Sequence, residues 1–428
     1  MTDPATLTAG AAADAIAAGR LTSEALVRAC LARIAARDGA VRAWAFLDPD
    51  LALAAARAAD RSAPLGPLHG VPVGLKDVID TFDMPTAQGS PVWAGRRPRA
   101  DAAAAALIRA AGGIILGKTV TTEFANRHPG PTRHPLAPAH TPGGSSSGSA
   151  AAVADFQVPL ALATQTGGST IRPAAFCGVL GYKPSFGEMS RVGVLLQAGS
   201  LDTLGLVARD IGDLARLRAV LLRLPHEPVA APASPPRLAL CRTPQWDRAG
   251  DATRDALEDA ARRLAAAGAK LADLTLPPAL FGDWPATHRR IAGFECARNL
   301  AHERHLHRAA LSRDLAEGWI RDGEALPLAD YAAAQRRAEA MREWADDALA
   351  PFDAVLTPAA PGEAPEGLGD TGDSVFNALW TLLGTPCLTL PCGTGPAGLP
   401  LGLQLAAARH EDERLFATAG WVRRILPG

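Results

Sequence analysis

Two Gly-Gly-Ser units stand 24 residues apart in this chain, Gly143-Gly144-Ser145 and Gly167-Gly168-Ser169. Glycine pairs let backbone N–H groups turn toward a ligand, because no Cβ blocks positive φ. A serine placed directly after such a pair can hold its hydroxyl beside several backbone donors. An attacking hydroxyl needs that layout, with N–H groups to stabilise the charge that develops on a carbonyl oxygen. The hydroxyl also needs a base. The stretch 141–184 contains no histidine, but a lysine lies upstream in apolar company, in Val71-Pro72-Val73-Gly74-Leu75-Lys76-Asp77-Val78-Ile79. Lysines are scarce here: only Lys76, Lys118, Lys183 and Lys270, in a chain with 43 Lys and Arg together. A guanidinium keeps its proton in a protein, whereas a buried ammonium can release one. Acting as a base near neutrality requires a bias of about 4 kcal/mol against the charged form, and burial supplies it. Asp77 would oppose this if it paired with Lys76. Along a strand successive side chains alternate, so Asp77 is expected on the opposite face.

These residues carry a resemblance. The segments GGSSSGSAAAVA, TQTGGSTIRPAAFCGVLGYKPS and GVPVGLKDVID, with SLDTLGLVARDIGDLA (200–215) and GLPLGLQL (398–405), resemble the core of the amidase signature family of serine hydrolases. The likeness covers nearly the whole chain. It implies an α/β fold with a large mixed central β-sheet covered by helices on both faces. It also implies an amidohydrolase that cleaves C–N bonds of carboxylic amides through a Ser–cis-Ser–Lys triad and an acyl-enzyme. On that reading Ser169 is the nucleophile, Ser145 the bridging serine after a cis peptide, and Lys76 the base. The backbone N–H groups of Thr166, Gly167, Gly168 and Ser169 would form the oxyanion hole. Neither metal nor organic cofactor is implied. Esters, anilides and carbamates (urethanes) fall within the same acylation chemistry.

Two departures narrow the resemblance. Gln165 stands where the commoner family pattern has Asp, and Ser169-Thr170-Ile171-Arg172-Pro173 replaces an Ile-Arg pair directly after the nucleophile. This is similar to a branch of free-standing amidases that includes malonamidase-like enzymes, in which an arginine at the position of Arg172 can bind a substrate carboxylate. An ion pair that supports the glycine-rich loops is the equal alternative for Arg172. The departures argue against a tRNA-dependent amidotransferase component, which would be a glutaminase working with a partner chain.

The totals set bounds. The chain has 428 residues, 48% hydrophobic content and a net charge of −1, and its mean hydropathy is +0.06. That supports a large core and gives no electrostatic footprint for nucleic acid. No apolar run approaches the ~20 residues of a membrane span. The N-terminus lacks the basic and apolar regions of a secretory signal. Cys30, Cys177, Cys241, Cys296, Cys387 and Cys392 are scattered, without a Cys-x-x-Cys pair, as buried cysteines of a reducing cytoplasm would be. The expectation is a cytoplasmic monomer or homodimer acting on a small amide, ester or carbamate, without nucleic-acid or membrane partners.

The elements that must position these residues read as alternating strands and helices, hence an α/β sheet. Helical spacing covers 10–37, 101–111, 211–222, 251–267, 286–310 and 329–350. Strand-like runs fall at 114–116, 158–163, 238–241, 271–276, 353–357, 387–390 and 401–405. The reading is one domain, 1–428, with its catalytic core at about 65–215. Residues 237–428 would complete the sheet and the pocket. Pocket walls are expected from 120–140, 284–320 and 360–380, with 361–371 as a loop over the pocket. Gly144, Arg172, Phe376 and Trp380 are candidate substrate contacts. Trp319 is a further aromatic that lines the pocket or fills core.

Three other motifs compete. Residues 112–119 fit the phosphate-loop pattern G-x-x-x-x-G-K-[ST], the basis of a nucleotide-binding alternative. That motif needs a flexible cradle between strand and helix, and Ile114-Ile115-Leu116 reads as a buried strand. Gly144-Ser145-Ser146-Ser147-Gly148 fits the nucleophile elbow, but no downstream His lies in a supporting motif. His302 and His305 have the wrong spacing for H-E-x-x-H, and flanking arginines favour a solvated surface.

Overall fold

The computed structural model describes residues 3–426. One sheet of 11 strands runs through the molecule, in the order β1-β3-β2-β4-β6-β5-β10-β11-β9-β7-β8. The strands are β1 (Trp44–Leu47), β2 (Pro72–Lys76), β3 (Ile114–Thr119), β4 (Leu160–Gln165), β5 (Leu180–Lys183), β6 (Thr203–Ala208), β7 (Arg237–Leu240), β8 (Lys270–Asp273), β9 (Ala354–Pro358), β10 (Cys387–Thr394) and β11 (Pro400–Ala406). The sheet is mixed. β2 runs parallel to β3 and β4, whereas β4–β6, β6–β5 and β5–β10 are antiparallel. The C-terminal strands join the catalytic part through the β5–β10 pair, Cys387 opposite Lys183.

Burial explains the composition of the central strands. Every residue of β2, β3, β4 and β6 is buried, so these strands are apolar on both faces rather than alternating. One apolar cluster holds Leu75, Leu162, Leu206, Leu388 and Leu405, and a cluster on the other side holds Ala150, Ala161, Ala163 and Val207.

The helix Ser147–Ala154 is made of small residues because it lies almost against backbone. A Cβ on Gly148 would meet the Ala43 carbonyl oxygen at 2.2 Å and the Val120 nitrogen at 2.3 Å. The N-terminal turn of the helix is thereby pressed onto the sheet at the end of β3, where the Ser147 hydroxyl donates to the Val120 carbonyl.

Several local expectations shift. The helix expected over 10–37 is two, Ala9–Ala17 and Ser23–Val41, separated at Gly19, whose φ is +68°. The helix expected over 286–310 breaks after Asn299. β1, β5 and β6 add three strands beyond those expected.

Candidate active site

Strand β2 ends at Lys76, and β4, its parallel neighbour, ends at Gln165, just before the second glycine pair. The first glycine pair leads into the helix Ser147–Ala154. Lys76 and Ser145 therefore meet at the ends of adjacent elements, and the backbone of Ser169 lies beside Ser146. Lys76 is fully buried. Its Nζ lies 2.7 Å from Ser145 Oγ and 2.8 Å from Thr164 Oγ1. No carboxylate pairs with it among the described residues. Burial drives the Lys76 pKa well below its ordinary value, and the charge of Asp202 is the opposing influence. Asp77 faces away, as alternation demands: its carboxylate accepts from Ala87 N–H and lies near Lys118.

The peptide between Gly144 and Ser145 is cis. The Ser169 hydroxyl makes no hydrogen bond among the described residues, and its carbonyl accepts from Ser146 N–H at 3.2 Å. The backbone N–H groups of Thr166, Gly167, Gly168 and Ser169, the four expected to form the oxyanion hole, have no protein acceptor among the described residues, whereas the next two, Thr170 and Ile171, both donate to Gln165 Oε1. Free donors stop at the serine. Gln165 Nε2 donates to Thr381 Oγ1, which donates to the Gly167 carbonyl. Thr166 is tied at two points: its hydroxyl donates to Asp202 at 2.6 Å, and His288 Nε2 donates to its carbonyl at 2.9 Å.

Gly167, Gly168 and Ser169 open onto a cavity of about 280 Å³. Its other walls come from Asn126 and Arg127, from His288 and Trp319, and from the loop 370–374. These fall in the three regions expected to build the pocket. The walls are mostly polar.

Arg172 reaches the cavity, but two of its three nitrogens are committed. Nε donates to the Thr371 carbonyl and Nη2 to the Gly144 carbonyl, at 2.8 and 2.7 Å. It braces the two loops that flank the site, with carbonyls rather than a carboxylate as partners. Gly144 gives its carbonyl to this brace and does not line the cavity. A side chain there would meet Thr371 Cγ2 at 2.7 Å. Phe376 and Trp380 correct the expectation of substrate contacts: both are fully buried core residues outside the cavity wall. Their helix, Val375–Leu382, turns them into the core and presents Ala378 toward Gly167 instead. Trp319 is the aromatic that does line the cavity.

The competing motifs have structural roles. Lys118 is buried in β3 and donates to Thr86 Oγ1 and the Ile79 carbonyl, which leaves no phosphate cradle. Ser146 donates to the Thr164 carbonyl. His302 stacks on Trp93. Sequence reasoning missed Thr164, Asp202, Gln197, Asn126, Arg127 and His288 as parts of the site or its support. Thr164 and Asp202 lay inside motifs already singled out, and Asn126, Arg127 and His288 inside stretches expected to wall the pocket, but nothing marked them individually.

A mixed sheet that carries a buried amine, two serines and a run of unpaired backbone donors defines an acyl-transfer site. A family model described as Amidase matches residues 25–416, and the chain belongs to the amidase signature family. It is an amide-hydrolysing enzyme of that family. The chain is 35% identical to the A component of the glutamyl-tRNA(Gln) amidotransferase of Chloroflexus aggregans, over 99% of this chain and 97% of the relative. A crystal structure of an amidase superimposes with a TM-score of 0.89 at 31% identity, covering 98% of this chain and 100% of that one. The native peptide amidase of Stenotrophomonas maltophilia gives 0.84 at 30% identity, covering 99% and 97%. The likeness to amidotransferase components does not follow the distinction drawn from Gln165 and Arg172. Among the described residues no helix is long and apolar enough to cross a membrane.

Proposed function

We propose that this protein is a free-standing amidase in which Ser169 attacks the amide carbonyl and Lys76, acting through Ser145, is the base. The observation that carries this reading is the fully buried Lys76 amine, bonded to Ser145 Oγ and lacking any carboxylate partner among the described residues. In the neutral state the amine accepts the Ser145 proton while Ser145 Oγ accepts the proton of Ser169. Ser169 Oγ bonds to the carbonyl carbon, and the N–H groups of Thr166, Gly167, Gly168 and Ser169 hold the oxyanion. The proton returns through Ser145 to the nitrogen as the C–N bond breaks, and the amine leaves. Water then attacks the acyl-enzyme by the same relay and yields the acid and free Ser169. The Ser169–Ser145 hydrogen bond forms when substrate turns the Ser169 hydroxyl, since such bonds are often loose in empty sites.

Thr170-Ile171-Arg172 and Gln165 favour the malonamidase-like branch. Arg172 Nη1, the nitrogen not used by the brace, is the group that would meet a substrate carboxylate. Esters and carbamates are substrates of the same machinery. A second reading, a glutaminase that works with a partner chain, draws on the amidotransferase relatives. The test is Ser169→Ala with a chromogenic anilide and fluorophosphonate labelling. The expected result is a loss of at least ~10³-fold in kcat and no label at residue 169. Undiminished turnover would remove Ser169 from the mechanism. Glutamine hydrolysis appearing only with a co-purifying chain would favour the second reading.

A further inference from the structure

His288 is one of several buried side chains of the cavity wall that the relay leaves unused. His288 sits in the helix Trp284–Asn299, is 7% exposed and borders the cavity. Its Nε2 lies 2.9 Å from the Thr166 carbonyl oxygen. A carbonyl only accepts, so Nε2 carries the proton. Burial lowers the His288 pKa, and the charge of Arg127 adds to that, so the ring is neutral near neutral pH. Nδ1 is therefore a bare acceptor, and no group among the described residues donates to it. The Cε1 edge lies beside Gly167, 3.7 Å from where a Cβ would stand.

The bonded carbonyl matters because a trans peptide points its C=O and N–H in opposite directions. Holding the Thr166 carbonyl against His288 aims the Gly167 N–H away from the ring. That N–H is one of the four, Thr166 to Ser169, without a protein acceptor among the described residues.

Resting on the amidase reading above, we propose that His288 is a positioning and specificity residue of this site. Through Nε2–H it fixes the Thr166–Gly167 peptide, and with it one oxyanion donor. Through Nδ1 it gives the cavity an uncharged acceptor that selects amides carrying a neutral O–H or N–H donor.

Gln and Asn separate the two roles, since a Gln amide nitrogen reaches the Nε2 position and an Asn amide group the Nδ1 position. The probes are 2-hydroxypropananilide and propananilide, which differ by one hydroxyl. Wild type is expected to show the lower KM for the hydroxy compound. His288→Leu should lose about tenfold or more in kcat on both compounds and equalise their KM values. His288→Gln should recover kcat without the KM preference, and His288→Asn the reverse. Thermal melts establish that each variant is folded, and the wild-type comparison needs no variant. Equal wild-type KM values would overturn the recognition role. Wild-type kcat in a folded His288→Leu protein would overturn the positioning role. Failure of wild type to turn over either anilide, with Ser169 unlabelled, would instead sink the amidase reading itself.

Discussion

Thr164 Oγ1 stands 2.8 Å from Lys76 Nζ, so the buried amine has two hydroxyl partners and no carboxylate among the described residues. A neutral amine has two N–H bonds and one lone pair. Thr164 takes one N–H, which turns the lone pair toward Ser145. Thr164 thus orients the base as well as solvating it.

Thr164→Val removes that partner at nearly constant volume. The charged amine loses more than the neutral one, so the Lys76 pKa falls further. The acid limb of kcat/KM should then move to lower pH. The plateau should drop by roughly 10–100-fold, because the lone pair is no longer held. A pH–rate profile with an unmoved limb would show that Thr164 does not act on the amine.

The brace by Arg172 gives a different signature. Arg172→Ala leaves the buried carbonyls of Gly144 and Thr371 without their donor, at about 1–3 kcal/mol each. The Gly144 loop and the loop 370–374 loosen, so kcat should fall on neutral and acidic amides alike, with a drop in Tm. Acidic substrates should suffer an added rise in KM through loss of Nη1. A pure KM effect on acidic substrates, with Tm and neutral-substrate kcat unchanged, would leave no bracing role.

How much of this was readable beforehand follows from what each residue contacts. Lys76, Ser145 and Ser169 stood out because each sits in a dense local pattern, and the structure brings Lys76 and Ser145 into contact. The buried strands β3 and β4 were readable as continuous apolar runs. Thr164, Asp202 and His288 were not readable. Their roles depend on atoms 36 to 122 positions away in sequence, or on a partner across the strand end, and no periodicity encodes those distances. Phe376 and Trp380 misled for the complementary reason. Aromatic type says that a side chain will be covered, but the rotation of the helix Val375–Leu382 decides whether core or cavity covers it.

Asp202 makes stability depend on pH in a definite direction. Burial pushes its pKa from 3.8 up to about 6, while the Thr166 hydroxyl and the N–H groups of Gln197 and Ala198 favour the ionised form. Between those values the folded state holds a proton that the unfolded state has released. Its contribution is therefore fully present below ~pH 4 and is lost as pH rises through about 6. Asp202→Asn removes this dependence. The Tm difference, wild type minus variant, should decrease from pH 4 to pH 7. A constant difference would mean that Asp202 is ionised throughout.

Gln165 closes the circuit around the nucleophile. Its Oε1 accepts from Thr170 N–H at 2.9 Å and Ile171 N–H at 3.0 Å, and its Nε2 donates to Thr381 Oγ1 at 3.0 Å. Thr381 then donates to the Gly167 carbonyl at 2.7 Å. One neutral amide thus orders the backbone on both sides of Ser169, and an ionised carboxylate, an acceptor only, cannot do both. Gln165→Glu keeps the two backbone bonds. At this fully buried position the new carboxyl either charges and abandons Thr381 or keeps a proton and mimics the amide. Burial is expected to raise its folded pKa above the unfolded ~4.3, against the opposite pull of the Thr170 and Ile171 N–H groups. Stability of the variant should be near wild type at pH 4, where the carboxyl is protonated in both states. It should fall by about 1–3 kcal/mol or more by pH 8. Activity should decline over the same range as the Gly167 carbonyl loses its tether. Thr381→Val, which breaks the same tether without adding charge, should show the activity loss at every pH. A Gln165→Glu protein as stable and active as wild type at pH 8 would show that the Thr381 bond does not hold the loop.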